Sequence, residues 1–409
     1  MTRHQKRSGA GRTSSALLTA LGTLAGAALA GAAPAGAATW TTVVAGVAYQ
    51  HYDLSAAAGV THVHVLSVDL GHAHVRLGLL YPGKVASRAA LSTLADGQKA
   101  VAGVNGDFFD ISEAQHPGVT ATGASVGPAI ASGKVLKAAV PDAQRFGPEL
   151  PPGTSTRAVV GVGANGRARL DTLALKGTVT ALRRRLPLGG LNQYALPLDS
   201  IGAFTADWGG VSRKRATCGT DLSRAAACST STYEVTVERG RVVSASATPG
   251  SGTIAAGTTV LVGREAGARR LKAFTVGDRV TVRHRLMSGS GTAYRFAVGG
   301  YPLLTGGRAL PGLDASVSAV RTAVGIGDGG RRVFLFALDG ATAYRKGLTI
   351  AEVAAALKSL GATEGFSLDG GGSSTLVARP AGSTRVTVRN HPSDGTERPV
   401  PNGIGVFTR

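Results

Sequence analysis

Aromatic residues make up only 5% of the chain, cysteine occurs twice, and acids are outnumbered by bases, 24 to 44. Few aromatics remove the stacking platform that single-stranded nucleic-acid binding relies on. The bases are scattered without a block of five or six like charges, so no nucleic-acid partner is expected. Cys218 and Cys228 have no further metal ligands nearby, which argues against a thiolate metal site and leaves a structural disulfide closing a small loop. Beyond residue 38 no apolar stretch approaches a membrane span. With 43% hydrophobic and 17% charged residues, the composition is that of a folded chain with a large core rather than a disordered one.

What is present begins with a leader. Arg3, Lys6, Arg7 and Arg12 precede the apolar "SSALLTALGTLAGAALAG" and the small-residue run "AAPAGAA". That order reads as a secretory signal peptide over 1–38, and predicts a secreted, extracellular protein made of one domain, 39–409. Without those four bases the formal charge of +20 falls only to about +16, which favours an anionic partner. For an exported chain that partner is an anionic glycan or a phosphorylated sugar rather than nucleic acid.

"GVTHVHVLSVDL" and "AHVRLGLLY" read as strands, and "SRAALSTLADG" as a helix. The section from about 155 to 290 reads as short strands between glycine-containing turns, with no convincing helix. Farther on, "RRVFLFALDG" is an apolar strand and "TIAEVAAALKSLG" a helix with a Thr349/Glu352 capping box and a Gly361 stop. "EGFSLDGG" is a second strand. Strand, helix and strand predict a right-handed βαβ unit with two parallel strands. The fold class expected is therefore α/β to α+β mixed: a sheet with flanking helices, plus a β-rich central section.

A βαβ unit carries both strand ends to one edge of the sheet, where ligands bind in open α/β folds. Asp339 and Asp369 are each the first charge after an apolar strand and each precedes glycine. They become candidate catalytic carboxylates, against the plainer reading that Asp-Gly opens a turn. "AGVNGDFFD" adds Asn105 and Asp107, against a bare hairpin turn. Arg321 and Arg398 could each clamp an anionic group, and Ser373 with Ser374 could offer hydroxyls. "DGGGSS" lacks the lysine of a phosphate-binding P-loop. Ser125 in "GASVG" sits before Pro128, the wrong setting for a nucleophile elbow. The pairs His62/His64 and His72/His74 each share a strand face, and solvent-facing positions explain them as well as a metal does. No metal and no cofactor are expected.

Together "VAGVNGDFFD", "VGGYPLLTGG", "RTAVGIGDGG", "LFALDG", "KGLTIAEVAAALKSLGATEGFSLDGGGSSTLV" and "ERPVPNGIGV" stand in an order that resembles the phosphodiester glycosidase family, from about residue 43 onward. The resemblance implies a hydrolase that cleaves a sugar-1-phosphodiester and leaves a phosphomonoester. It implies Asp369, Asp107 and Asp339 as catalytic candidates, and Asn105, Arg321, Gly371, Ser373, Arg398 and Asn402 as substrate-binding candidates. A cell-wall or exopolysaccharide glycan is the target class expected. A non-catalytic protein of the same fold that binds anionic polysaccharide is the alternative.

Overall fold

A computed structural model describes residues 39–408, so the leader read at 1–38 lies outside the described residues. Its largest sheet has eight strands, ordered Thr41–Val44, Val47–Ala56, Gly59–Asp69, Arg332–Leu338, Thr322–Gly327, Glu364–Leu368, Tyr301–Thr305 and Arg308–Ala309. Every neighbouring pair in it is antiparallel. A second sheet, of five strands, is ordered Thr387–Val388, Leu376–Ala378, Ala102–Asn105, Gly403–Thr408 and Val75–Leu80. Val65, Leu335 and Phe336 of the first sheet share one buried core with Val104, Leu376 and Ile404 of the second. The helix Ile350–Ser359 packs Val353 and Leu357 into that same core.

The α/β to α+β expectation is overturned. The described residues form four sheets, antiparallel apart from the short pairing of Gly190–Leu191 with Ile201–Phe204, and carry only three short α-helices. Arg332–Leu338 and Glu364–Leu368 do run parallel, but Thr322–Gly327 lies between them and pairs antiparallel with both. Central strands covered on both sides read as continuous apolar runs in either kind of sheet, which is why the pattern imitated a parallel one. The helix begins where its capping box places it, with Thr349 Oγ1 accepting from Glu352 N and the Glu352 carboxylate accepting from Thr349 N.

The central section is β-rich, although a short helix, Ala266–Leu271, interrupts it. Cys218 and Cys228 are joined; closing a loop of that size is worth about 3 kcal/mol in the chain-entropy account. The loop is also docked by side chains, since Gln144 Nε2 donates to the Thr220 and Ser223 carbonyls and Arg264 Nη2 to that of Gly219. Of the histidine pairs only His62 is a partly solvent-facing strand residue. His64 is buried, and His72 and His74 lie in a turn before Val75. No helix among the described residues is long and apolar enough to cross a membrane.

Candidate functional site

The segment 369–375 is the crossover between the two sheets: strand Glu364–Leu368 of the first ends before it, and strand Leu376–Ala378 of the second begins after it. Asn105, at the end of its own strand and fully buried, staples both ends of this crossover. Its Nδ2 donates to the Asp369 carbonyl at 2.7 Å, and its Oδ1 accepts from Thr375 N at 3.1 Å and from Thr322 Oγ1 at 2.8 Å. Asp369 N donates to the Gly106 carbonyl at 2.9 Å. Asn402 holds the other side, accepting from Gly106 N through its carbonyl and from Asp107 N through its Oδ1, both at 2.9 Å. A Cβ on Gly106 would overlap Asn402 Oδ1, so this approach requires glycine.

Two carboxylates result. Asp107 is buried, with Oδ2 accepting from Gly127 N at 2.6 Å and Oδ1 without a partner. Burial pushes its pKa up to about 6, against the opposing pull of Lys137, the Gly127 N–H and Arg145. Asp369 is only half-buried, yet the packing around its carboxyl pushes it up to about 7. Ser373 and Arg398 oppose that rise, and the neighbouring charge of Asp107 adds to it. Ser373 is buried with its Oγ unpaired. Arg398 is partly exposed and donates from Nη2 to Asp394 at 2.8 Å. Its guanidinium lies where a Cβ on Gly372 would be, and Gly371, at φ +59°, turns the chain beneath it.

Asp339 forms a different node. Its Oδ1 accepts from Ala341 N, its Oδ2 lies 2.8 Å from His391 Nδ1, and His64 Nε2 stands 3.6 Å away. Burial would raise its pKa, but His64, His391 and the Ala341 N–H hold it well below the usual carboxylate range. His64 is itself lowered, chiefly by burial, and so tends to be neutral. Tyr49 lies 2.8 Å from His64 Nδ1; its hydroxyl pKa is pushed up to about 12 by burial, so it donates there and leaves the Nε2 hydrogen directed at Asp339. The node meets the crossover through the segment 390–398, where Ser393 Oγ donates to the Gly371 carbonyl at 3.4 Å.

The structure thus gathers Asn105, Asp107, Asp369, Gly371, Ser373, Arg398 and Asn402 around one crossover. Arg321 is turned elsewhere: Nε donates to the Leu348 carbonyl and Nη2 to that of Val317. Two basic groups beside Asp107 escaped the sequence reading. Lys137 is buried, donates from Nζ to the carbonyls of Val126, Gly127 and Ala138, and has its pKa lowered by burial to about 7. Arg145 lies over the stacked rings of Phe108 and Tyr301. Lys137 stands opposite Ala129 across a β-bulge that puts it on the other face from Val135, so no alternation in the sequence marked it. Asp110, in the same "NGDFFD" run, is also buried and is raised to about 7, first by desolvation.

Fold and site define a mainly antiparallel β protein in which a glycine-rich crossover sets a pair of raised-pKa carboxylates beside an arginine. Residues 231–407 match the family model described as phosphodiester glycosidase. Among solved structures it is similar to a hypothetical protein of Synechocystis, at 20% identity and TM-score 0.69, covering 92% of this chain and 64% of that one. A candidate exported protein of Burkholderia pseudomallei matches at 25% identity and TM-score 0.63, over 85% of this chain and 74% of that one. The zebrafish N-acetylglucosamine-1-phosphodiester alpha-N-acetylglucosaminidase catalytic domain, auto-inhibited by its pro-peptide, aligns at 16% identity and TM-score 0.43, over 89% of this chain and 83% of that one. No curated protein sequence matches the chain.

Proposed function

We propose that this protein is a secreted glycosidase that hydrolyses a sugar-1-phosphodiester, releasing a free sugar and leaving a phosphomonoester. The observation that carries the reading is that the backbone bond from Asp369 N to the Gly106 carbonyl brings together two carboxyls raised by burial, Asp107 and Asp369, the second with Arg398 beside it. Cleaving the anomeric C–O bond passes through an oxocarbenium-like state, and a carboxyl pair of which one member holds a proton near neutrality suits that chemistry. Asp369, the member with surface of its own, faces the sugar; Asp107 lies behind it and lifts its pKa. The C1–O electron pair leaves with the phosphate, whose oxygen takes the proton of Asp369 while Arg398 stabilises the charge that departs; water supplies the oxygen that joins C1, and the proton it loses restores Asp369.

Arg321 is left out of this assignment because Nε and Nη2 anchor its side chain to the Leu348 and Val317 carbonyls, and Asp339 acts as a scaffold for the 390–398 segment. Export rests on the leader composition and the disulfide. The partner class is a glycosyl phosphodiester or anionic glycan, with nucleic acid and membrane excluded from the reading. A second reading, glycan binding without turnover, draws on surface depressions of about 660 and 420 Å³ that lie away from the crossover. Incubation with a synthetic glycosyl-1-phosphodiester separates the two readings. Stoichiometric release of free sugar supports hydrolysis, whereas tight binding with no release overturns it.

A further inference from the structure

Outside the crossover, positive charge gathers on one face of the seven-stranded sheet. Strand Ala168–Ala181 is flanked along its second half by Val280–Ser288 on one side and by Arg184–Pro187 on the other. The register sets Lys176 opposite Arg285, Thr178 opposite Arg283, and Thr180 opposite both Thr281 and Arg185. Directly opposed residues of antiparallel strands share a face. Lys176, Arg185, Arg283 and Arg285 therefore project together and are exposed, while the alternate residues Val179, Ala181 and Val280 are buried behind them.

Among the described residues none of the four forms a salt bridge. The carboxylate acting on nearby His284 is Asp207, which is already paired with Lys134. A depression of about 290 Å³ runs between Lys176, Arg185, Arg283 and Arg285. Like charges set opposite one another oppose strand pairing, and surfaces ordinarily intersperse the two signs. Four unpaired cations on one face are therefore a cost to the fold that a bound anion would remove.

We propose that this face is an exosite for a linear phosphodiester-linked polymer, holding one stretch of it while another reaches the crossover. Arg283 and Arg285, two residues apart, are spaced at roughly 6.6 Å along an extended strand, and Arg185, two strands away and offset by two residues in register, lies roughly 12 Å from Arg283. A polymer carrying one phosphate per short polyol spacer repeats its charge at a comparable interval, and arginine grips phosphate through paired donors. Thr178, Thr180 and Thr281 add hydroxyls on the same face. These three strands contribute no Phe, Tyr or Trp, so stacked bases have no platform. The phosphodiester chemistry of the ligand rests on the proposed function; the preference for a polyanion rests on this face alone.

The test is fluorescence anisotropy of labelled poly(glycerol phosphate) with the full chain and with a Lys176→Gln, Arg185→Gln, Arg283→Gln, Arg285→Gln variant, whose fold is checked by thermal unfolding. Affinity is expected to fall at least roughly tenfold, and the slope of log Kd against log salt to flatten by about 3, for four lost contacts. Turnover of a small glycosyl phosphodiester stays unchanged. An equal loss on replacing Lys99, Arg239, Arg308 and Lys358 instead would overturn the proposal, as would an unchanged slope. Tighter binding of a DNA duplex of equal charge would reassign the face to nucleic acid. Binding is read without turnover, so an inactive crossover leaves the outcome interpretable.

Discussion

Asp339 and Asp369 are introduced by the same local sequence, an apolar strand followed by Asp-Gly, and lie at the ends of two strands that run parallel. Their surroundings pull them in opposite directions. Asp369 enters a crossover whose near neighbours include another carboxylate, and its pKa is pushed up to about 7. Asp339 meets His64, His391 and a backbone N–H, and stays ionised. Position comes from the strand, whereas protonation comes from what the rest of the fold packs against it.

The sharpest way to break this contrast is substitution. Asp369→Asn is expected to lower turnover of a glycosyl-1-phosphodiester by roughly 100-fold or more, and to leave stability unchanged or slightly raised because a poorly accommodated charge is removed. Asp339→Asn should do the reverse, costing about 1–3 kcal/mol of stability by unbalancing a buried bonded group, with a smaller effect on turnover. Urea midpoints and kcat measured side by side decide it; equal losses of turnover for both variants would erase the distinction. Asn105→Ala strands the Asp369 carbonyl, Thr322 Oγ1 and Thr375 N at once, and is expected to cost about 2–4 kcal/mol. Full stability of that variant in thermal unfolding would mean that the crossover is held by something other than this staple.

The two carboxylates also predict opposite pH slopes. The folded pKa of Asp369, about 7, lies above the unfolded value near 3.9. Folding then takes up a proton, so its unfavourable contribution grows as pH rises from about 4 to 7 and levels off above that. Asp339, held below its unfolded value, contributes stability that is present above about 4 and lost as pH falls through its folded pKa. The stability gap between the natural chain and Asp369→Asn should accordingly be wider at pH 8 than at pH 5. A gap that is constant with pH would show that Asp369 is not raised.

How far these features were legible follows from how local each one is. The capping box of Thr349 and Glu352 is settled within one turn and stands in the sequence. Thr322–Gly327, the strand that slots between the two parallel ones, is as apolar as its neighbours, and nothing local records its partners or direction. That insertion is what turned an expected α/β sheet into an antiparallel one. Asp107 and Asp369 were visible because polar residues interrupt apolar runs, whereas Asn402 came only with the family resemblance. Arg398 stood in a motif, but its approach to the crossover depends on Gly372, and of the two backbone carbonyls that hold Arg321 one is the nearby Val317 and the other comes from Leu348, far along the chain. His64 drew notice as half of a pair on one strand; its burial against Tyr49 and Asp339 is purely tertiary.

The smallest effect expected concerns the link within the carboxylate pair. Asp107, at about 6, loses its proton before Asp369, at about 7, so over the upper part of the titration Asp369 ionises beside a negative charge. Asp107→Asn removes that charge while keeping a side chain of the same shape able to accept from Gly127 N. The pKa of Asp369 should then fall by about half a unit to one unit, and the alkaline limit of the activity profile should move down with it. Carbon-13 titration of the Asp369 carboxyl reads the first shift and a kcat–pH profile the second. If the carboxyl titrates where it did before, the charges are not coupled and Asp369 owes its raised pKa to burial alone; Asp107 would then be a structural acceptor for Gly127, as Asp339 is for Ala341.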